Sequence, residues 1–421
     1  MDVRGDPPAI SGAERTLLAG WLLSAKAPQV KNQGAGALPP SDGPPGHPRK
    51  MSRWLPALPP PETADRGTNQ RWLPRANASV FLLYLWKVAT KTRIPLTVLI
   101  TVDTETWPYS PGWREEGLEC DLRRDIYGIT EDGQFGLGFQ CGLLRDHGLK
   151  AVFFVEALFA SVVGINPLRQ VVQTIWNHDG QAVELHAHPE WVKYFADDAG
   201  IPRPSNLQHF HQLPFEQQVS LLELASSNLR SAGVGQIHGF RAGNFGADLA
   251  TCRALAALGV PFDFSYNAAF LNRDCRFDLT ERLFAPTFLG GVTEYPMSYF
   301  EDYPNHIRPA QLCACSSQEM QLALIRAWQS GWSCFVILSH SFELIKDRKC
   351  LHGKTRLNPT ALRRMEKLCK FLKDNNDRFE TTTCEALSAV SEPTAQAGTP
   401  LRGSLLNTLA RYCEQAWVRL T

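Results

Sequence analysis

An excess of charge of either sign is missing from this chain. Its 421 residues carry 43 lysines and arginines against 42 aspartates and glutamates, a formal net charge of +1, and no long basic stripe. There is therefore no electrostatic footprint for nucleic acid, which is not expected as a partner. Long apolar runs are missing too: Val80 to Trp86 is far shorter than the ~20 residues a spanning helix needs, so no transmembrane segment is expected. The opening MDVRGDPPAI lacks a charged segment followed by an apolar one, so no secretory signal is read and the cytoplasm is the expected compartment. The eleven cysteines are scattered, with no paired CxxC framework, as in a reduced protein rather than a disulfide scaffold. Cys313 and Cys315 are the closest pair and have no second pair nearby to complete a zinc knuckle. No GxGxxG follows the first apolar strand and no GxxxxGK[ST] occurs, so dinucleotide and P-loop chemistry have no support.

What is present is an ordinary globular composition, 44% hydrophobic and 20% charged, long enough to bury a sizeable core. Residues 1–75, with GALPPSDGPPGHP and PALPPPE, are too rich in proline and glycine to pack and read as a disordered extension or a mistaken upstream start. The texture changes at Ile94, where IPLTVLITVD has the β-branched continuity of a strand buried on both faces. Apolar runs then alternate with helical patterns: helices over Gly136–His147, Asn166–Asn177, Phe215–Ala232, Leu249–Leu258, Ser317–Ser330 and Pro359–Lys373 separate seven or so strand candidates. Such βα alternation predicts an α/β fold with a parallel sheet, and that number of strands favours a barrel over residues 76–390. Residues 391–421 read as a linker followed by a short amphipathic helix, LLNTLARYCEQAWVRL, able to dock on the domain or on a partner.

In parallel α/β folds, chemistry gathers at the carboxyl ends of strands. The first strand ends in TVDTE, placing Asp103 and Glu105 on one face of an extended chain. That is either a plain strand end or two carboxylates awaiting a cation. A second strand ends in ELHAHPEW, with His186 and His188 again at i, i+2. Two imidazoles and a carboxylate are the donor types of a catalytic zinc site with one position left for water. A third strand ends in FRAG, where a buried Arg241 needs a carboxylate partner, whether structural or catalytic. His340 closes the apolar run SCFVILSH, where an imidazole can act as general acid near neutral pH.

Taken in order, TVDTE, ELHAHPEW, FRAG, FDFSY and LSHSFEL resemble the ordered motifs of the polysaccharide deacetylases, carbohydrate esterase family 4. The nearest subgroup is that of bacterial surface-polysaccharide biosynthesis. The resemblance runs over roughly residues 95–390. It implies a distorted (β/α) barrel of about seven parallel strands and metal-assisted hydrolysis of an N- or O-linked acetyl group on a sugar or polysaccharide. Carried over, Asp103 is the base, Arg241 its partner, His186 a metal ligand, Asp263 the aspartate of the fourth motif and His340 the general acid. Two positions depart from the family pattern. Thr104 stands where the second of two adjacent aspartates is usual, making Glu105 the substitute ligand. Glu190 stands where a second histidine is usual, while His188 lies two residues after His186. Either could complete the site, and the i, i+2 spacing favours His188. Mixed nitrogen and oxygen ligation favours zinc, with cobalt, nickel or iron fitting the same set. The competing readings are a metal-independent amidase on the same fold and a non-catalytic carbohydrate binder. The second has no use for Asp103 and His340.

Overall fold

The computed structural model describes residues 94–110, 117–195, 206–346, 355–389 and 400–420. The chain divides into units 1–74 and 75–421. The expected extension over residues 1–75 lies outside the described residues, as do residues 391–399 of the linker expected over 391–404; its described end instead forms a short strand, Leu401–Arg402, paired with Phe300 and Glu301.

The sheet is built around β1 (Leu96–Thr104), whose continuous run of buried residues is what a strand flanked on both faces requires. Its companions are β2 (Ala151–Glu156), β3 (Gln181–Ala187), β4 (Gly239–Ala242), β5 (Phe262–Asp263), β6 (Thr287–Leu289) and β7 (Val292–Glu294). A hairpin of β8 (Tyr299–Tyr303) and β9 (His306–Pro309) stands apart from it, and β10 (Cys334–His340) and β11 (Phe379–Thr381) return to it. The order is β10-β1-β2-β3-β4-β5-β7-β6, with β11 on the amino-terminal half of β1. From β10 to β7, seven consecutive neighbours run parallel, and only β6 is antiparallel. The two ends of this array meet through irregular chain: Ser298, four residues past β7, bonds Val336 of β10, and Ala310 and Leu312 bond Leu338 on the same edge. The result is a distorted (β/α) barrel of seven parallel strands, as the βα alternation predicts.

The helices cover the barrel with apolar stripes at helical spacing. Along Ile165–Trp176, Leu168, Val171, Val172 and Ile175 are buried. Pro359–Asp374 begins with Asn358 capping the Ala361 amide and proline at its first turn, and buries Met365, Leu368 and Leu372. One helix does not follow this rule. In Leu118–Asp125 the buried residues are Asp121, Leu122, Arg124 and Asp125, joined by Arg124 ion pairs of 2.8 Å to each aspartate. With no apolar stripe it leaves no periodic signal, and the sequence reading misses it.

The C-terminal helix, Leu405–Leu420, docks on the domain. Arg411 reaches Asp302 at 2.8 Å and Glu319 at 3.0 Å, all three buried, and Asp302 is also met by Arg308 at 2.7 Å and by His306. No described helix is long and apolar enough to cross a membrane.

Candidate metal centre and active site

The carboxyl ends of β10, β1, β3 and β4 bring the sequence-derived residues together. At the end of β1, Asp103 Oδ1 accepts from Arg241 Nη1 at 2.6 Å. Arg241 is fully buried, its guanidinium 4.5 Å from the centre of the Phe154 ring, and its Nε donates to the Phe264 carbonyl. A cation that cannot shed its proton is thus neutralised by one carboxylate, and that carboxylate is fixed in direction.

Beside this pair, Glu105, His186 and His188 converge, with one donor atom from each lying within 4.8 Å of the others and all three residues buried. Glu105 Oε2 is 2.6 Å from His188 Nε2 and 3.7 Å from His186 Nε2, yet no N–H is aligned on that oxygen as a hydrogen-bond donor. Two imidazole nitrogens and an orphaned carboxylate oxygen facing one point are a donor set that fits a divalent cation. Burial alone would raise the Glu105 carboxyl, but the imidazoles, His188 foremost, hold it well below the usual carboxylate range. Burial would likewise lower His188, but Glu105 and then Glu190 outweigh it and hold the imidazole well above its ordinary value. Surroundings that favour a proton on His188 equally favour a metal cation in its place.

Neighbouring groups aim these donors. His186 Nδ1 bonds the Arg241 carbonyl at 2.7 Å, which assigns its proton to Nδ1 and leaves Nε2 free to ligate. His188 Nδ1 faces Glu190 at 3.3 Å, and Glu190 is held by Asn244 Nδ2 at 2.7 Å. Glu190, the alternative ligand, therefore sits behind the His188 ring rather than among the donors. The His188 amide donates to Glu156 at 2.6 Å, and burial pushes the Glu156 carboxyl up to about 8. Gly243 explains the FRAG glycine: a Cβ there would lie 2.3 Å from the His188 ring. Asn244 next to it takes φ 55°, a left-handed conformation that asparagine tolerates and that carries its amide to Glu190. The chain leaving Glu105 is pinned by the helix without an apolar stripe, through Trp107 N to Asp125 at 3.1 Å and Ser110 N to Asp121. Trp107 in turn sets its ring edge-on to His188, with centroids 4.7 Å apart.

His340 ends β10 directly opposite Asp103 of β1 in the strand register. Its side chain is the most exposed of the group at 19%, against 7% for Asp103 and 10% for Glu105, so it stands on the open side. Its Nδ1 bonds Glu343 at 2.9 Å. Burial works against the charged imidazole, but Glu343 first, then Asp103 and Glu105, raise it above its ordinary value. Glu343, Glu156 and Asn244 are missed by the sequence reading. Only Glu343 leaves a sequence signal, a carboxylate three residues after a strand-ending histidine.

Asp263 is not brought to this group. Its carboxyl bonds Ser265 Oγ and N and lies 3.6 Å from the Cys252 thiol, and with Glu294 these form a second buried cluster. The resemblance implies a catalytic role for it. The strand β5 that carries it is two residues long, and its carboxyl is grouped with Cys252 and Glu294. Burial raises both carboxyls, and Asp263 at its side holds Glu294 well above the usual range. Two buried carboxyls whose oxygens lie within 4.8 Å of each other are expected to share a proton. A raised folded-state value stabilises fully below the unfolded carboxyl range, about 4, and that stability is lost as pH rises through the folded value. Glu294→Gln, which can keep the bond from the Tyr266 amide, should therefore flatten the loss of stability that sets in as pH rises above the ordinary carboxyl range. Denaturation midpoints across that rise in pH check it, and parallel slopes for both proteins would contradict the shared proton.

No protein-family model matches the chain, and no curated protein matches it. Among solved structures it is similar to a Mycobacterium smegmatis protein assigned to the polysaccharide deacetylases, with TM-score 0.41 and 13% identity over 69% of this chain and 88% of that one. It is also similar to a family 4 carbohydrate esterase from Streptomyces lividans in complex with acetate, with TM-score 0.36 and 13% identity over 72% and 100% of the two chains. A CE4 family pseudoenzyme from Bacillus anthracis is similar at TM-score 0.32 and 9% identity, over 73% and 69%.

Proposed function

We propose that the protein is a metal-dependent deacetylase that removes an N- or O-linked acetyl group from a sugar or polysaccharide. The observation that carries this reading is the convergence of Glu105, His186 and His188 beside the Asp103–Arg241 pair and His340, at the carboxyl ends of neighbouring parallel strands. A divalent cation held by Glu105, His186 and His188, zinc best suiting two imidazoles and one carboxylate, would supply Lewis acidity to a water and to the acetyl carbonyl.

The chain's own groups account for the protons. Asp103, oriented by Arg241, accepts the proton of the attacking water as oxygen adds to the carbonyl carbon. The tetrahedral carbon then expels the sugar nitrogen or oxygen, and His340 supplies that leaving atom with a proton from Nε2, the ring nitrogen that Glu343 leaves free. Asp103 and His340 oppose each other across paired strands, so acid and base flank one reacting carbon. The donors are buried, which strengthens the electrostatic interactions among them.

Acetate released from N- and O-acetylated oligosaccharides by the full chain tests the substrate class. Time-dependent release on at least one acetyl type is expected. Unchanged oligosaccharides of both types would contradict the reading.

A further inference from the structure

We infer that Glu343 is the positioning residue of the reaction: it holds His340 by Nδ1 so that Nε2 faces the departing atom. This rests on the deacetylase reading of the same site. Asp263, the other carboxylate expected in the catalytic set, is bonded to Ser265 and grouped with Cys252 and Glu294. Glu343 lies three residues past His340 in a turn closed by its own amide on the His340 carbonyl at 3.0 Å, and its Oε2 is 2.9 Å from Nδ1. The backbone that ends β10 therefore fixes donor and acceptor together. The Gln140 amide clasps the His340 and Ser341 carbonyls at 3.0 and 2.9 Å, and Phe342 stacks on the imidazole with centroids 5.0 Å apart. The ring has a set plane, and a carboxylate on one nitrogen decides which nitrogen meets the substrate.

The carboxylates facing His340 are Glu343 on its own turn, Asp103 on β1 and Glu105 just beyond it. Only Glu343 bonds the ring, so its removal should move His340 without disturbing the other two.

The test compares wild type, Glu343→Gln and Glu343→Asp on para-nitrophenyl acetate, whose leaving group needs no proton, and benzyl acetate, whose leaving group does. Glu343→Gln should lower kcat on benzyl acetate about 10- to 100-fold with KM little changed. It should leave para-nitrophenyl acetate nearly untouched and shift the alkaline limb of the rate profile to lower pH. Glu343→Asp should recover part of the loss. In parallel, nitrogen-detected NMR of the histidine rings, with His340→Gln to assign the signal, should show His340 titrating at lower pH in Glu343→Gln. An equal loss on both acetates, an unmoved limb or an unmoved His340 titration would overturn the inference. Failure of the wild type on both acetates would count against the deacetylase reading alone, since the NMR titration still decides the role of Glu343.

Discussion

His186→Ala should lose bound divalent metal and acetate release together. Its Nε2 is one of three protein donors, and the ring is pre-aimed by the bond from Nδ1 to the Arg241 carbonyl. A catalytic site that keeps one position for water has no donor to spare, so two remaining groups should bind the metal weakly. The same logic separates His188 from Glu190. His188→Ala removes a donor and should behave like His186→Ala. Glu190→Gln leaves the donor set intact and loosens the ring behind it, an effect of about 10- to 100-fold on metal affinity or activity. Metal content of each purified variant by elemental analysis reads these outcomes directly. Full occupancy in His186→Ala would refute its assignment, and a Glu190→Gln variant poorer in metal than His188→Ala would exchange the two roles.

Asp103→Asn should keep the metal and lose turnover by about 10²- to 10⁴-fold, the contribution of a positioned general base. Its carboxylate points to Arg241, not into the donor group, so ligation does not depend on it. Asparagine keeps an oxygen that can accept from Arg241 Nη1 but leaves the buried guanidinium without a countercharge. Some stability should be lost as well, and breaking a buried pair outright costs about 3–5 kcal/mol. The rate is therefore to be measured well below the melting temperature, with metal content determined on the same sample. Loss of metal in Asp103→Asn would make Asp103 a ligand, and undiminished turnover would remove it from the proton path.

Much of this architecture could be read before any coordinates because parallel strands buried on both faces write themselves as apolar runs. LTVLITVDT and CFVILSH are such runs, and they pair side by side in the sheet. The i, i+2 rule placed His186 and His188 on one face, and their rings lie 4.8 Å apart. Where the backbone departs from regular structure, the same rules fail. The barrel closes through Ser298 and Ala310–Leu312, which lie outside the regular strands of the main sheet. Asp263 sits on a strand of two residues, too short for periodicity to say which way a side chain turns. Glu343 belongs to a turn beyond a strand, where partners are set by local geometry that no period encodes. The helix Leu118–Asp125 is held by ion pairs, so hydrophobic patterning passes over it although it anchors the chain leaving Glu105.

The central claim, that the donor set at the strand ends works through a divalent metal, is tested most directly by acetate release from an acetylated oligosaccharide before chelation, after chelation and after zinc is restored. Release that falls with the chelator and returns with zinc is the expected result. Release that continues undiminished in protein shown to be metal-free would contradict the claim and favour the metal-independent amidase.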